Sequence, residues 1–168
     1  MPSTLIIIRG NSGSGKTTVA KELRQQLSDG PSDNTLLVQQ DVLRRDMLRE
    51  RDMPEKRSVI ELIELVVEFG RRHGRIVILE GILATKKYGP MLHQLASQFD
   101  EVHVYYLDIP FDETLRRHAT KPNAHEFGEK EMREWWNEED YLGMPGERIF
   151  DEGMSRDDIV SAMMNDIG

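Results

Sequence analysis

The chain contains 168 residues, a length at which we expect one domain with a sizeable core. Its composition, with 38% hydrophobic and 31% charged residues, is typical of a soluble globular protein. The 22 Lys and Arg residues against 30 Asp and Glu give a net charge of −8, which argues against an extended nucleic-acid surface. The sequence has no cysteine, so disulfides and thiolate metal sites are excluded, in agreement with a reducing cytoplasm.

The start of the chain does not predict a secretion signal or a membrane span. Residues 1–8 lack the basic start and the long apolar stretch of a signal peptide, and their apolar run is too short to cross a bilayer. We therefore expect a cytoplasmic protein with no membrane partner, present as a monomer or a weak homodimer.

The first predicted elements surround a glycine-rich loop. Residues 4–8 are apolar and β-branched, which predicts a buried parallel strand. A helix is predicted after the loop, because apolar side chains recur there at helical spacing, at Val19, Ala20, Leu23 and Leu27. The loop itself is Arg9-Gly10-Asn11-Ser12-Gly13-Ser14-Gly15-Lys16-Thr17-Thr18. It fits the phosphate-loop pattern G-x-x-x-x-G-K-S/T in the strand-loop-helix context that this motif requires.

The residue types of this loop suit a triphosphate. Gly10, Gly13 and Gly15 allow successive backbone N–H groups to approach the phosphates, and the helix begins beneath them with its positive end. We expect Lys16 to reach the β- and γ-phosphates and the Thr17 hydroxyl to ligate Mg²⁺. The whole loop is predicted to bind the nucleotide, through Gly10, Asn11, Ser12, Gly13, Ser14, Gly15, Lys16, Thr17 and Thr18. The alternative is a glycine-rich turn that only caps a helix.

The remainder of the chain alternates between strands and helices. After a turn-rich connector, strands are predicted at residues 35–39, 75–81, 101–107 and 147–150. Helices are predicted at residues 42–51, 56–69, 91–99, 113–119, 129–136 and 155–167. Pro90 is placed at the start of its helix and Gly70 near the end of another, while Ser155 with Asp158 predicts a partial capping box. This alternation predicts a parallel sheet covered on both faces.

Asp41 follows the second predicted strand, at the carboxyl edge where open α/β sheets bind ligands. Arg44 is one helical turn further on, so its guanidinium can lie beside this carboxylate. In phosphoryl transfer such a carboxylate accepts the proton of an attacking hydroxyl, and such an arginine holds an anionic group of the acceptor. The alternative is an aspartate that caps a helix, with a solvated arginine after it.

Glu80 ends the third predicted strand and offers a second carboxylate at the same edge. Mg²⁺ keeps several waters and takes few protein ligands. Thr17, with Glu80 acting through water, therefore suffices as a predicted metal site. The alternative is an ordinary polar end of a strand.

A broken, polar stretch at residues 120–128 follows a basic helix end that contains Arg116 and Arg117. Together with Lys121, these cations are placed to close over the phosphates and to neutralise the charge that develops at transfer. The alternative is a solvated basic helix end that favours the helix dipole. The sequence does not separate Arg116 from Arg117.

Two other groups of side chains carry no predicted chemistry. The five histidines show no ligand spacing, so we assign them no metal. Trp135 and Trp136 are interpreted as packing residues rather than as a platform for stacking bases.

These residues together resemble a known group of enzymes, the P-loop small-molecule kinases, which include adenylate, shikimate and gluconate kinases. The similarity is greatest to small kinases related to polynucleotide kinase and to zeta-toxin-type kinases. It covers nearly the whole chain, but only the phosphate loop is highly specific. The similar features are the phosphate loop, the Asp41-x-x-Arg44 pair, the strand end Glu80-Gly81, and Leu107-Asp108-Ile109-Pro110 leading to Arg116 and Arg117.

The resemblance implies an α/β P-loop fold, with a five-stranded parallel sheet in the order 2-3-1-4-5, helices on both faces and a lid at about residues 117–128. It also implies ATP as the donor, the aspartate at position 41 as the base, and Arg116 or Arg117 as a phosphate contact. The chain departs from the nucleotide monophosphate kinases, which carry more lid arginines, because Lys121 stands where a second is expected.

We therefore expect a kinase that moves the γ-phosphate of ATP to a hydroxyl of a small acceptor, namely a nucleoside, nucleotide, sugar or antibiotic. Its cofactor is Mg²⁺, and Asp41 with Arg44 binds the acceptor. A polynucleotide 5′-hydroxyl kinase is one alternative, which the net charge of −8 disfavours. The other is a regulatory protein that binds ATP and hydrolyses it slowly to switch a partner.

Overall fold

A computed structural model describes residues 2–28 and 34–168, and its centre is a five-stranded parallel sheet. The strand order is β2-β3-β1-β4-β5, and every pair of neighbours runs parallel, so the predicted sheet and its order are confirmed. The strands are β1 (Thr4–Gly10), β2 (Thr35–Gln39), β3 (Ile76–Gly81), β4 (Glu101–Leu107) and β5 (Arg148–Phe150). Residues 29–33, within the predicted connector, lie outside the described residues.

Helices cover both faces of the sheet because successive residues of β1 point to opposite sides. Leu5 and Ile7 lie in one buried cluster with residues of α2 and α3, whereas Ile6 and Ile8 lie in another with residues of α1 and α6. The helices are α1 (Lys16–Leu27), α2 (Ser58–Arg72), α3 (Thr85–Ala96), α4 (Phe111–Ala119), α5 (Glu129–Glu134) and α6 (Arg156–Ile167).

Several helix boundaries differ from the prediction, and two of them lie at residues that the sequence analysis singled out, Pro90 and Gly70. Pro90 does not begin its helix, since α3 starts at Thr85 and contains Pro90 in its interior. Gly70 does not end α2, which continues to Arg72. A Cβ on Gly70 would lie 2.6 Å from Val77 Cγ2, so this glycine allows the helix to approach the sheet closely.

The segment after β2 also differs from the predicted helix at residues 42–51. It forms a short π-helix, Val42–Met47, in which Leu48 N donates to Leu43 O at 3.0 Å. The helix ends before Arg49, whose φ of 55° is not helical. The segment that begins at Asp41 and contains Arg44 is therefore a short π-helix followed by irregular chain.

The capping box predicted for the last helix is confirmed. Asp158 N donates to Ser155 Oγ at 3.1 Å, and Ser155 N donates to Asp158 Oδ2 at 3.4 Å.

Within residues 2–28 and 34–168 no helix combines the length and apolar character needed to span a membrane.

Candidate active site

The phosphate loop connects β1 to α1 and has the backbone geometry that its glycines predict. Gly13 has φ 81° and Gly15 has φ 94°, a left-handed conformation that favours glycine. A Cβ on Gly13 would lie 2.6 Å from Thr114 O, so α4 packs directly against the loop. Ser14 Oγ is buried and has no hydrogen-bond partner among the described residues. An orphaned hydroxyl in such a loop fits a site that receives a polar ligand.

Lys16 begins α1 beneath this loop. Its ammonium is buried, and Nζ donates to Asn11 O at 2.9 Å. Burial lowers the pKa of Lys16, an effect that the carboxylates of Glu80 and Asp41 oppose and that Lys121 reinforces. Both predicted carboxylates and one lid cation are therefore within electrostatic reach of the Lys16 ammonium.

Thr17 and Glu80, the predicted metal residues, are in direct contact. Thr17 Oγ1 donates to Glu80 Oε1 at 2.9 Å, and Glu80 is only 3% exposed. A hydroxyl beside a carboxylate fits a hard cation such as Mg²⁺, which prefers oxygen ligands and keeps several waters. Among the described residues, no group of three or more His, Cys, Asp or Glu is placed to hold a metal ion.

Asp41 and Arg44 form the predicted pair at the end of β2. Arg44 Nη2 donates to Asp41 Oδ1 at 3.1 Å, and Arg44 Nη1 donates to Glu50 O at 2.8 Å. The Asp41 side chain is 60% exposed and makes no capping hydrogen bond to the following turn. The structure thus leaves the carboxylate open to solvent and gives no support to the helix-cap alternative.

The two neighbouring arginines of α4 have different environments. Arg117 Nη1 donates to Ser14 O at 3.1 Å, so its guanidinium touches the phosphate loop. Arg116 is 69% exposed and forms two hydrogen bonds with Glu113. Hydrogen bonds from both arginines lower the pKa of Glu113 to about 2, so this carboxylate is anionic and anchors them. Of the two, Arg117 is therefore the one placed at the loop.

The side chains of the remaining loop residues have different environments. Asn11 is buried, and its side chain is bonded to Asn137, since Asn11 Nδ2 donates to Asn137 O at 2.7 Å and Asn137 N donates to Asn11 Oδ1 at 2.8 Å. Ser12 is half-buried and Thr18 is exposed. Asn11 thus ties the loop to the chain that follows α5.

The family of this chain follows from a comparison with models of protein families. Residues 5–138 match the model of the AAA domain. The matched region contains the phosphate loop, both predicted carboxylates and the predicted lid. The chain belongs to the AAA domain family. None of the curated sequences compared with this AAA domain protein matches it significantly.

Solved structures share the fold of this AAA domain protein at low sequence identity. The APS kinase CysC of Mycobacterium tuberculosis, in complex with AMPPNP and APS, has a TM-score of 0.73 and 16% identity over 98% of this chain and 96% of that chain. A gluconokinase from Sinorhizobium meliloti 1021 has a TM-score of 0.63 and 16% identity over 95% and 88% of the two chains. Shikimate kinase from Acinetobacter baumannii, in complex with shikimate, has a TM-score of 0.61 and 16% identity over 99% and 93%.

One buried ion pair at the site of the AAA domain protein is not apparent from its sequence. Arg9, the last residue before the first loop glycine, is fully buried, and its Nη2 donates to Asp140 Oδ2 at 2.6 Å. Arg9 Nε also donates to Leu83 O at 3.1 Å, while Thr85 N donates to Asp140 Oδ2 at 2.9 Å. Asp140 therefore joins β1, the start of α3 and the chain after α5. Burial lowers the pKa of Arg9, which Asp140 opposes.

The aromatic residues after α5 pack as predicted. Trp136 contacts Phe111 of α4, with ring centroids 5.3 Å apart, and Trp135 contacts Phe127 at 4.9 Å. His118 is buried at the end of α4, and its Nε2 is 2.8 Å from Phe127 O. The His118–Phe127 contact joins the predicted lid segment to α4, and the Trp136–Phe111 contact joins the chain after α5 to the same helix.

Replacing Asp140 with Ala is expected to destabilise the AAA domain protein by about 3–5 kcal/mol, because Arg9 is left as an uncompensated buried charge. Urea unfolding followed by circular dichroism measures this change. The matched control is Glu129→Ala, which breaks an ion pair with Arg133 whose side chains are 53% and 61% exposed. That variant should lose less than about 1 kcal/mol. Equal unfolding midpoints for the two variants contradict the assigned role of Asp140.

Proposed function

We propose that this protein is a kinase that transfers the γ-phosphate of ATP to a hydroxyl group of a small molecule. The observation that carries the proposal is the exposed Asp41 carboxylate, held by Arg44 and within electrostatic reach of Lys16 under the phosphate loop. Solved structures that share this fold include kinases named for APS, gluconate and shikimate. The family match and the fold support the nucleotide site, while the local geometry supports the transfer.

In the donor half of the site, three groups of the protein bind the triphosphate and its metal ion. Backbone N–H groups of the loop surround the phosphates, and Lys16 moves from Asn11 O to the β- and γ-phosphates. Thr17 and Glu80, whose side chains are in contact, are the residues that would hold Mg²⁺. When bound there, Mg²⁺ would neutralise the negative charge that develops on the phosphates during transfer.

The acceptor half rests on the Asp41–Arg44 pair. Arg44 holds an anionic group of the acceptor and orients its hydroxyl toward the γ-phosphorus. Asp41 accepts the hydroxyl proton as the hydroxyl oxygen bonds to phosphorus and the bond to the β-phosphate oxygen breaks. The products are the phosphorylated acceptor, ADP and the proton held by Asp41.

Arg117 completes the proposed site from the lid side. Its guanidinium already touches Ser14 O of the loop, and a shift toward the γ-phosphate brings positive charge to the transferred group. Lys121, whose charge influences Lys16, stands on the same segment. Arg116 is proposed to help only indirectly, through the Glu113 carboxylate that it shares with Arg117.

The test of this function is a screen for stimulation of ADP formation. Nucleosides, nucleotides, sugars, antibiotics and 5′-hydroxyl oligonucleotides are each added to the protein with ATP and Mg²⁺. Rapid ADP release that depends on one small-molecule class supports the kinase, and stimulation by oligonucleotides alone supports the polynucleotide alternative. Basal turnover that no acceptor changes contradicts the proposal and favours the regulatory switch. A cytoplasmic location and a monomeric or weakly dimeric state stay predictions from the sequence.

Removal of the metal is expected to stop phosphoryl transfer, and Thr17→Ala is expected to raise the Mg²⁺ concentration that half-saturates the reaction. The variant removes the hydroxyl that is the proposed protein ligand, but leaves the Glu80 carboxylate in place. ADP formation is measured across a series of Mg²⁺ concentrations, with Ser97→Ala, which removes an exposed hydroxyl after α3, as the control. Transfer that continues unchanged in saturating EDTA overturns the metal roles of Thr17 and Glu80.

A further inference from the structure

Gln39 lies directly across the sheet from Glu80. It is the last residue of β2, and the parallel pairing of β2 with β3 aligns the two Cα atoms in register. Gln39 Nε2 donates to Glu80 Oε1 at 3.0 Å. The glutamine is thus a cross-strand neighbour whose side chain ends on the proposed metal-site carboxylate.

The two donors that reach Glu80 share one oxygen atom. Thr17 Oγ1, at 2.9 Å, and Gln39 Nε2, at 3.0 Å, both donate to Oε1. Two donors on one oxygen fix the plane and rotation of a carboxylate that is almost fully buried. Both donors are on Oε1, so Oε2 is the oxygen that would act toward Mg²⁺.

The neutral amide suits this task better than other side chains would. A lysine or arginine at this position would neutralise the negative charge that attracts a cation. With an apolar residue there, the orientation of Glu80 would depend on Thr17 alone. Thr17 is itself the proposed metal ligand, whereas the Gln39 amide has no proposed role other than its bond to Glu80.

We propose that Gln39 is a positioning residue that holds Glu80 in the orientation needed for the metal-bound nucleotide. This inference rests on the proposed function, because it assumes that Thr17 and Glu80 hold Mg²⁺. Gln39 touches neither the phosphates nor the metal in this arrangement. Its loss therefore weakens the contribution of Mg²⁺ to nucleotide binding while leaving metal-free binding unchanged.

The test measures binding rather than turnover. Affinity for a fluorescent ATP analogue is determined in EDTA and across a Mg²⁺ series for wild type and for Gln39→Leu, which keeps the bulk and removes the donor. The Mg²⁺ concentration at half-effect should rise about fivefold, the contribution of one neutral hydrogen bond. Affinity in EDTA should not change. An unchanged Mg²⁺ half-effect in Gln39→Leu overturns the inference.

Two further variants make the result specific. Gln26→Leu is the matched control, since Gln26 Nε2 donates to Glu22 Oε1 at 3.0 Å on the exposed side of α1, and it should behave as wild type. Gln39→Asn, whose amide is one methylene too short, should reproduce the shift and replaces Gln39→Leu if the latter does not fold. A wild-type Mg²⁺ response in Gln39→Asn overturns the inference.

The failure of the inference is distinguishable from failure of the proposed function. If Thr17→Ala shifts the Mg²⁺ half-effect and neither Gln39 variant does, only the role of Gln39 is wrong. If Mg²⁺ does not affect nucleotide binding even in wild type, the metal site and this inference are both wrong. If the Gln39 shift is found but no acceptor stimulates ADP formation, the inference holds and the kinase proposal fails.

Discussion

Lys16→Ala is expected to abolish ATP binding or phosphoryl transfer while the fold remains intact. The variant removes the charge that faces the β- and γ-phosphates from a loop that is already formed, and loss of one such electrostatic contact costs about 10²–10³-fold in transfer. Stability should not fall greatly, because burial disfavours the Lys16 ammonium and its direct partner is the Asn11 carbonyl. Calorimetric ATP binding and thermal melting of the same sample separate the two effects.

The control for Lys16→Ala is Lys21→Ala, a removal of positive charge from an exposed position of the same helix. It should retain ATP affinity and turnover, since its ammonium is in water. Normal ATP affinity and turnover in Lys16→Ala would mean that the loop does not bind the triphosphate as assigned.

Asp41→Asn is expected to reduce transfer by roughly 10²–10⁴-fold, the usual contribution of a general base. The asparagine keeps the size of the side chain but cannot accept the proton of the hydroxyl. ATP affinity should change little, because the loop and Lys16 hold the phosphates. Stability should also change little, because Asp41 makes no capping bond and its pair with Arg44 is 60% exposed on the Asp41 side.

The measurement for Asp41→Asn is acceptor phosphorylation beside ATP binding and thermal melting. Asp46→Asn is the matched control, an exposed aspartate of the same π-helical segment, and it should retain transfer. Near wild-type transfer in Asp41→Asn contradicts the base assignment and directs attention to Glu80. Loss of ATP binding would instead show that Asp41 acts mainly on the water shell of the metal.

The phosphate loop could be predicted from sequence because all of its determinants are local. Four spaced residues, Gly10, Gly15, Lys16 and Thr17, define it, and the strand and helix around it follow from residue periodicity. The positions of the two carboxylates can be predicted for a related reason. Parallel strands end at a common edge, so the ends of β2 and β3 bring Asp41 and Glu80 toward the loop.

The Arg9–Asp140 pair could not be predicted because its partners are 131 residues apart in the sequence. Arg9 is visible as a charge that ends an apolar strand, but nothing local indicates which acid it meets. Asp140 also explains why the predicted start of α3 is wrong, since its carboxylate accepts a hydrogen bond from Thr85 N in the first turn of the helix. An acceptor supplied from elsewhere in the fold leaves no capping signal in the helix sequence.

The choice between Arg116 and Arg117 likewise depends on tertiary placement. Adjacent residues of a helix point about 100° apart, and their sequence context is the same. Only the packing of α4 against the loop, with Thr114 O near Gly13, decides that Arg117 meets Ser14.

The most direct test of the proposed transfer is the fate of the γ-phosphate. ATP radiolabelled at that phosphate is incubated with the protein, Mg²⁺ and the small-molecule acceptors of the screen, and the label is separated into ATP, inorganic phosphate and phosphorylated acceptor. The kinase account predicts that most released label is on one acceptor, and that Asp41→Asn removes this product while ATP still binds. Label found only in inorganic phosphate, at a rate that no acceptor alters, would contradict it.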